Sequence, residues 1–375
     1  MKNIAECKIA IVADWLTSRG GAERVVLAMA DLFPQADIFT SVYKSEIFPE
    51  LAGRKVTTSF LQTMPLGKKH QLWPTLRPLA MELLDLDNYD VVISSASAEA
   101  KGVLTKPETL HLCYCHTPTR YYWSHYHYYL QHPEFGVLNP VVQWLMPKLI
   151  HRLRLWDRVA ADRVDSWVAN SQTTQQRIKK YYEKTSLVIH PPVDTRRFEI
   201  SDQIGDYYLV VGRQTAYKRT DLAIAAFNQL QLPLKVIGTG PALKKWMLQS
   251  RKNIEFLGRV SDSEVAKYLS HAQALIMPQE EDAGIVPLEA MACGRPVIAY
   301  QSGGATETVI EGRTGLFFAD QSVEALVEAV QKFQKLAWNS AIIRRHAEQF
   351  DIAKFQSKLK EVVKQAYQEH LSLMK

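Results

Sequence analysis

Two glutamates at the start of a short predicted helix, Glu281 and Glu289, have the spacing to bind one hydroxylated ligand. They follow the apolar run 274–277, which is typical of a buried parallel strand, and Pro287 suits the first turn of the helix. Backbone N–H groups at a helix start attract phosphate, whereas a carboxylate beside phosphate repels it. Each glutamate is therefore expected to accept hydrogen bonds from hydroxyls, and phosphate beside hydroxyls indicates a nucleotide sugar. The alternative is an acidic first turn that only complements the helix dipole.

A pair of cations follows another predicted strand, 207–212. Arg213 leaves the end of that strand, and Lys218 comes shortly before the predicted helix 221–230. Two cations at one edge of a sheet can hold both phosphates of a leaving nucleoside diphosphate. A lone Arg or Lys in a loop is usually only solvent-exposed, but this pair lies beside the acidic loop, which favours a phosphate site.

Two features of the first half of the chain also suit a ligand edge. Gly20-Gly21 lies between a predicted strand and an apolar helix, where glycine lets the backbone approach an anion closely or simply makes a tight turn. His116 ends a predicted strand, at the edge where open parallel sheets bind ligands. The alternative for His116 is a cap on Thr117-Pro118.

Two other patterns suggest metal sites, and neither is predicted to be one. Asp85-Leu86-Asp87 spells D-x-D, but it approaches a predicted strand, where acidic residues form ordinary solvated loops. Cys113 and Cys115 have the spacing C-x-C instead of the C-x2-C of zinc sites, and they point away from His116 because alternate residues of a strand face opposite ways. These cysteines are expected to be buried. We expect no metal ion and no cofactor.

Short apolar stretches alternate with helical stretches in both halves of the chain. This alternation predicts α/β architecture with parallel sheets that helices cover on both faces. The segment 190–194, His-Pro-Pro-Val-Asp, breaks regular structure and is expected to link two domains, 1–193 and 194–350.

The composition leaves room for two cores, since the chain has 375 residues of which 47% are hydrophobic. No stretch approaches the roughly 18 uncharged apolar residues of a membrane-spanning helix. The apolar stretch near the N-terminus is expected to be a first strand and not a signal peptide. Four cysteines without a disulfide pattern fit a reducing, cytoplasmic location.

The formal net charge of +6 is unevenly distributed. The predicted helix 141–159 carries basic residues between apolar ones, and it follows the aromatic-rich segment 120–133. Such a helix can lie on the inner face of a membrane with its cations towards lipid phosphates. The alternative is an apolar stripe in the core and a solvated basic face. We expect an acceptor or membrane-docking surface and no nucleic acid partner, because net charge alone does not indicate one.

The sequence resembles the retaining glycosyltransferases of the GT-B fold, glycosyltransferase family four, in its mannosyltransferase-like branch. The segment E-D-A-G-I-V-P-L-E is similar to the family's E-x7-E signature, with Ala283 where Phe is usual. G-G-A-E-R is similar to its first strand-to-helix loop, C-H-T-P-T-R-Y-Y-W to its acceptor-side segment, and G-R-x4-K-R to its diphosphate motif.

The resemblance implies two Rossmann-like domains that face each other across a cleft, with a last helix, 351–375, crossing back onto the first domain. It implies that Arg213 and Lys218 bind the leaving diphosphate, Glu281 the sugar and Glu289 the ribose, while His116 faces the donor sugar and the acceptor hydroxyl. The expected catalytic residues are His116, Arg213, Lys218 and Glu281. The expected donor-binding residues are Gly20, Gly21, Arg213, Lys218, Arg259, Val260, Asp262, Glu281, Ala283, Gly284, Ile285, Val286 and Glu289.

The segment 254–262 is similar to the family's nucleobase edge. Asp262 can accept from the two N–H groups of guanine, and uracil offers only one, which favours GDP over UDP. The alternative is that Asp262 or Ser261 caps the following helix.

The expected function is transfer of a hexosyl group, with mannose from GDP-mannose favoured, to a glycan or lipid-linked acceptor. UDP-glucose or GDP-glucose is the alternative donor. A nicotinamide-dependent oxidoreductase is a more distant alternative, against which the missing G-x-G-x-x-G counts. A catalytically inactive nucleotide-sugar-binding subunit is the third, against which the intact Arg213, Lys218, Glu281 and Glu289 count.

Overall fold

The structure is a computed structural model that describes residues 4–131 and 139–374. It forms two compact units, one made of residues 1–191 with 355–375 and the other of residues 192–354. The chain passes from the first unit to the second between residues 191 and 192. This is close to residue 193, where the double proline predicts the end of the first domain. His132 and Pro133, the last residues of the aromatic-rich segment, lie outside the described residues.

The first unit is built on a seven-stranded sheet in which every pairing is parallel. Its strands are β1 Ile9–Ala13, β2 Asp37–Thr40, β3 Val56–Thr58, β4 Val91–Ala96, β5 Leu110–Cys115, β6 Ser166–Ala169 and β7 Leu187–Val188. Their order across the sheet is β3-β2-β1-β4-β5-β6-β7. In the register, Ala13 of β1 lies beside Ser95 of β4, and Ala96 beside Cys115 of β5. The carboxyl ends of these three strands therefore open at one edge.

Helices cover both faces of this sheet, since every residue of β1, β4 and β5 is buried. The helices of this unit are α1 Gly21–Leu32, α2 Leu76–Glu82, α3 Tyr126–Gln131, α4 Asn139–Ala161 and α5 Gln172–Tyr182. The last helix of the described chain, Ile352–Leu373, belongs to the first unit from Phe355 onwards. The ring of Phe355 contacts that of Tyr114 edge-on at 5.7 Å, and the Gln356 amide donates to the Ala28 carbonyl at 3.0 Å.

The second unit is built on a six-stranded parallel sheet in the order β10-β9-β8-β11-β12-β13. Its strands are β8 Tyr208–Val211, β9 Leu234–Ile237, β10 Ile254–Gly258, β11 Leu275–Met277, β12 Val297–Tyr300 and β13 Gly315–Phe318. Its helices are α6 Thr220–Leu230, α7 Leu243–Gln249, α8 Asp262–His271, α9 Ile285–Ala292, α10 Ala305–Thr308, α11 Val323–Phe333 and α12 Ser340–Ala347. Apolar cores on both faces of this sheet pack its strands against α6 and α11 on one side and α9 and α12 on the other.

In each sheet, the first three strands are added outwards to one edge, and the next strand returns to the other side of the first one: β4 beside β1, and β11 beside β8. This order is that of a doubly wound Rossmann-like sheet. The prediction of two Rossmann-like sheets is therefore confirmed. Cys113 and Cys115 lie buried on β5 as free thiols, as predicted. The predicted helix at 141–159 is also confirmed, as the longer helix α4.

Two buried ion pairs hold the segment after β5 inside the first unit. The Lys101 ammonium lies 2.6 Å from the Asp157 carboxylate, and neither side chain is more than 2% exposed. Asp157 also accepts from the Thr119 hydroxyl at 2.9 Å and from the Trp123 indole at 2.7 Å. Because Asp157, Lys101 and Thr119 are all buried, the carboxylate fixes the path of residues 119–123.

The second pair joins Arg77 and Glu99 at 3.1 Å. Arg77 donates to the Tyr121 hydroxyl at 2.7 Å, and the Tyr122 hydroxyl donates to Glu99 at 2.9 Å. The hydroxyls of both tyrosines therefore form hydrogen bonds within the unit, and Tyr122 is fully buried. This part of the aromatic-rich segment is structural.

Candidate functional site

The cation–carboxylate pair predicted at the second sheet is in direct contact. The Lys218 ammonium contacts the Glu281 carboxylate, and the Gln279 amide donates to the same oxygen of Glu281 at 3.3 Å. Lys218 follows β8 and Glu281 follows β11, which are neighbours in the sheet. An ammonium has three N–H groups, so Lys218 can bind Glu281 and an anion together.

A buried glutamine, Gln214, fixes the loop that carries Arg213 and Lys218. The Gln214 amide donates to the carbonyls of Gly212 at 2.7 Å and Ile237 at 3.0 Å. A Cβ atom on Gly240 would lie 2.1 Å from the carbonyl oxygen of Gln214, so the two loops pack backbone to backbone. Sequence reasoning missed Gln214, and the pattern G-T-G that it packs against was the available signal.

A pair of glycines after β12 positions the acidic loop. The Gly304 N–H donates to the Glu281 carbonyl at 2.8 Å, and Ser302 donates to the Glu280 carboxylate at 2.9 Å. Gly303 has φ +63°, and a Cβ there would lie 2.2 Å from the Glu281 carbonyl oxygen. Glycine is needed at this position both for the backbone conformation and for the close approach.

The acidic loop runs directly into α9. Gly284, with φ +71°, caps the helix, and Pro287 lies in its first turn as predicted. The first two helical residues, Ile285 and Val286, present their N–H groups at the helix start, where an anion is favoured. Ala283, at the position usually held by Phe, is 5% exposed, and Glu289 is 3% exposed. The two glutamates thus flank one helix start, one on each side.

The expected nucleobase edge lies at the end of β10. Arg259 and Val260 follow the strand, and the Asp262 carboxylate is 3.0 Å from the Arg197 guanidinium. Ser261 caps α8 through a reciprocal pair of bonds with Glu264. The structure thus shows Ser261 as the cap, while Asp262 occupies the first helical position beside a cation.

In the first unit, the carboxyl edge of the sheet centres on a buried aspartate that sequence reasoning missed. The Asp14 carboxylate accepts from the N–H groups of Ser97 at 2.6 Å, Ala98 at 3.0 Å and Ala100 at 2.7 Å. Burial is the largest cause that raises the pKa of Asp14, to about 6, and the neighbouring Glu99 adds to it. Its position directly after β1 was the available signal.

His116 lies at the same edge, where it was predicted. Its Nε2 is 2.8 Å from the Ser95 hydroxyl, and its backbone carbonyl accepts from Thr174 at 3.2 Å. The side chain is 8% exposed, so a group that reaches it must come from the edge of the sheet. The contact with Ser95 fixes the orientation of the ring.

The predicted glycine pair encloses a buried acid. Gly20 caps α1 and Gly21 is its first residue, so only Gly20 belongs to the loop. A Cβ on Gly20 would lie 2.8 Å from an oxygen of Glu23. Burial raises the pKa of Glu23 to about 7. Hydrogen bonds from the backbone of Glu23 and Gly20 lower this pKa, but burial has the larger effect. Above that pH a carboxylate already occupies the start of this helix.

A cavity of about 240 Å³ opens between these groups in the first unit, lined by Trp15, Glu23, Ser95 and Ser97 among others. The ring of His70 stacks on that of Trp15 at 4.1 Å, and burial lowers the pKa of His70 to about 3. Aromatic, hydroxyl and carboxyl groups around one cavity can bind a hydroxylated ring.

The D-x-D segment forms a surface turn. The Asp87 N–H donates to the Asp85 carboxylate at 3.1 Å, and Lys106 pairs with Asp87 at 3.2 Å. Among residues 4–131 and 139–374, no group of three or more His, Cys, Asp or Glu side chains is arranged to hold a metal ion.

Two family profiles match consecutive parts of the chain. The profile described as "Glycosyltransferase Family 4" matches residues 19–197, and the one described as "Glycosyl transferases group 1" matches residues 195–350. The chain belongs to glycosyltransferase family 4. The resemblance seen in the E-x7-E and G-R-x4-K-R segments is confirmed, since both fall within the second match.

Similar proteins agree with this assignment. An uncharacterized glycosyltransferase of Methanocaldococcus jannaschii is 31% identical over 47% of this chain and 52% of its own. A GDP-mannose-dependent phosphatidylinositol monomannoside mannosyltransferase of Mycolicibacterium smegmatis is 30% identical over 43% of this chain and 50% of its own. This chain thus spans about half the length of the curated relatives it matches. The crystal structure of an Anabaena protein with UDP and glucose has a TM-score of 0.70 at 18% identity, covering 95% of this chain and 99% of that one, which shows the fold.

The raised pKa of Glu23 makes a prediction about stability. A buried acid whose pKa is higher in the folded state than the usual 4.5 destabilises the fold as pH rises from about 4.5 to about 7. Glu23→Gln removes this cost. We expect the variant to be more stable than the wild type by an amount on the order of 3 kcal/mol at pH 8, and by little at pH 4.

Urea unfolding at several pH values measures this difference. Glu108→Gln, at an exposed glutamate, is the matched control and should change stability little at any pH. A Glu23→Gln stability difference that stays constant between pH 4 and pH 8 would contradict the assigned pKa.

Proposed function

We propose that the protein transfers a hexosyl group from a nucleoside-diphosphate sugar to a hydroxyl of a glycan or lipid-linked acceptor. Transfer retains the anomeric configuration and needs no bound metal ion. The observation that carries the proposal is the contact between Lys218 and Glu281 at the end of two neighbouring strands. A cation for phosphate and a carboxylate for hydroxyls are thereby held side by side, as the junction between diphosphate and sugar requires.

The chemistry is assigned to groups of the second unit and to the donor itself. The bond from the anomeric carbon to the phosphate oxygen breaks, and one from that carbon to the acceptor oxygen forms on the same face. The acceptor proton passes to the departing phosphate. Arg213 and Lys218 offset the negative charge that builds on the diphosphate, which lowers the barrier.

Glu281 is proposed to position the sugar instead of attacking it. A retaining reaction can also use a carboxylate nucleophile, and Glu281 is one of a pair of carboxylates. The Glu281 oxygen that contacts Lys218 also accepts from Gln279, so its electron density is already shared with two donors. This favours a carboxylate that binds hydroxyls.

The favoured donor is GDP-mannose. Asp262 at the start of α8 offers a carboxylate to the N–H groups of guanine, although it also pairs with Arg197. The similarity to a GDP-mannose-dependent enzyme of Mycolicibacterium smegmatis supports the same donor. UDP-glucose and GDP-glucose are the alternatives. A nicotinamide-dependent reaction is no longer proposed, since the chain belongs to a transferase family.

The acceptor is assigned to the first unit. His116, oriented by Ser95, lies at the edge of the sheet beside the cavity lined by Trp15 and Glu23. A sugar or lipid headgroup hydroxyl can accept or donate at each of these polar groups. His116 is proposed to face the acceptor hydroxyl.

The exposed face of α4 supports a peripheral membrane contact. Its buried residues include Ile150, Leu153 and Asp157. On the opposite face, at helical spacing, five large apolar side chains are between 48% and 66% exposed: Val141, Trp144, Leu145, Leu155 and Val159. Lys148 and Arg152 lie on the same face, so the apolar groups can enter a bilayer surface while the cations bind lipid phosphates. Among the described residues, every helix is too short or too polar to cross a membrane.

Liposome flotation tests this surface. We expect the wild type to bind vesicles that contain about 30% anionic lipid, and Trp144→Ala with Leu145→Ala to lose most of this binding. Met247→Ala with Leu248→Ala, an exposed apolar pair on α7, is the control and should bind as the wild type does. Equal binding by the two double variants would overturn the membrane assignment for α4.

A donor panel tests the proposed reaction. We expect slow hydrolysis of GDP-mannose by the wild type, faster than that of UDP-glucose or GDP-glucose. Glu281→Gln should keep donor binding but lower turnover by about 100-fold, because the sugar loses its orienting carboxylate. Glu311→Gln, at an exposed glutamate paired with Lys332, is the control and should leave turnover unchanged.

The outcomes separate the alternatives. Hydrolysis of a glucose nucleotide in preference to GDP-mannose would replace the donor but keep the reaction. No binding of any nucleotide sugar would refute the function. A glycosyl group bound covalently to Glu281, found by mass spectrometry of the wild type during turnover, would show that this carboxylate is a nucleophile.

A further inference from the structure

A cavity in the second unit lies away from the residues assigned to the donor. It has a volume of about 490 Å³, and its lining includes Tyr208, Gln273 and Arg295. Tyr208 is the first residue of β8, and the other two come shortly before β11 and β12. The strands are parallel, so this is the edge where they begin, whereas Arg213, Lys218 and Glu281 lie where β8 and β11 end. The cavity is a separate site.

One wall of this cavity is aromatic and well fixed. Tyr208 contacts Phe333 edge-on at 5.8 Å, and Phe333 stacks on Trp338 at 5.2 Å with an interplanar angle of 18°. The Trp338 indole donates to the Phe333 carbonyl at 3.4 Å, which holds the ring in place. An aromatic wall of this kind packs against the apolar C–H face of a ring-shaped ligand.

A buried cation also lines the cavity. The Arg295 side chain is 3% exposed, and one of its terminal nitrogens donates to the Ser201 carbonyl at 2.6 Å. Its Nε has no hydrogen-bond partner among the described residues. Burial lowers the pKa of Arg295 from its ordinary value, and the charge of Asp202, an exposed carboxylate, acts against this. A buried guanidinium with an unsatisfied N–H group is costly, and a bound anion that accepts from it offsets that cost.

The remaining polar lining suits hydroxyls. Gln273, whose amide nitrogen donates to the Gly205 carbonyl at 2.7 Å, contributes an amide group, and the exposed Asp206 contributes a carboxylate. Asp206 would repel an anion placed beside it, so the anionic group belongs next to Arg295 and the hydroxyls next to Asp206. The buried guanidinium also disfavours a purely apolar occupant such as an acyl chain.

We propose that this cavity binds a phosphorylated monosaccharide, with its phosphate at Arg295 and its ring against Trp338 and Tyr208. The volume lies within the range of about 300–1,000 Å³ that is usual for small-molecule sites. The proposal does not depend on the proposed transferase activity, because it uses none of the residues assigned to the donor. The site would take its ligand independently of the donor.

Isothermal titration with mannose 6-phosphate, mannose and inorganic phosphate tests the site. We expect mannose 6-phosphate to bind with a Kd at or below about 1 mM, and each fragment to bind at least about tenfold more weakly. Arg295→Gln and Trp338→Ala should each weaken binding of mannose 6-phosphate by about tenfold or more. Arg345→Gln, at an exposed arginine of α12, is the matched control and should not change it.

A variant at the donor edge separates the two sites. Lys218→Ala should bind mannose 6-phosphate as the wild type does, and GDP should not displace the sugar phosphate. If Arg295→Gln does not fold, Trp338→Ala decides alone, because its half-buried ring can be removed with less loss of packing. The proposal is overturned by no binding at about 10 mM, by equal binding of inorganic phosphate, by wild-type affinity in Trp338→Ala, or by displacement with GDP.

Discussion

Parallel strand order places an ammonium and a carboxylate, which are 63 residues apart in sequence, in contact at one edge of a sheet. β8 and β11 are neighbours that end at the same edge, so Lys218 and Glu281 follow them into the same space. Opposite charges held together in a partly buried place attract more strongly than in bulk water. Two contacts position the loops that carry these side chains. Gln214 binds the Lys218 loop to β9, and Gly303 and Gly304 allow the backbone after β12 to approach the Glu281 loop closely.

In the first unit, too, carboxylates are paired with donors away from bulk water. Its edge is built around the buried carboxylates of Asp14, Glu99 and Asp157, each satisfied by backbone N–H groups, a cation or hydroxyls. Leaving any of them unpaired in a poorly solvated interior would cost several kcal/mol, so the chain around them is strongly constrained. The backbone around these carboxylates is thereby held in one path.

Most features of the fold and of the site that could be predicted follow from short sequence patterns. Apolar runs of strand length, the glycines that end or begin elements, and the E-x7-E and G-R-x4-K-R segments each act over a few residues, and they located both Rossmann-like sheets and the Lys218–Glu281 edge. Charge pairs between distant segments could not be found this way. Nothing near Asp157 in sequence shows that Lys101 is its partner, and nothing near Ser95 shows that it orients His116. The pKa of Glu23 was equally hidden, because it depends on burial created by the whole unit.

Binding of GDP and of guanosine to the wild type and to the Arg213→Ala, Lys218→Ala double variant is the most direct test of a donor site at this edge. The two ligands differ only in the diphosphate, so their affinities isolate the role assigned to the two cations. We expect the double variant to bind GDP about 100-fold or more weakly than the wild type, and guanosine to bind equally to both. An unchanged affinity for GDP would contradict the assignment of this edge to the diphosphate of the donor.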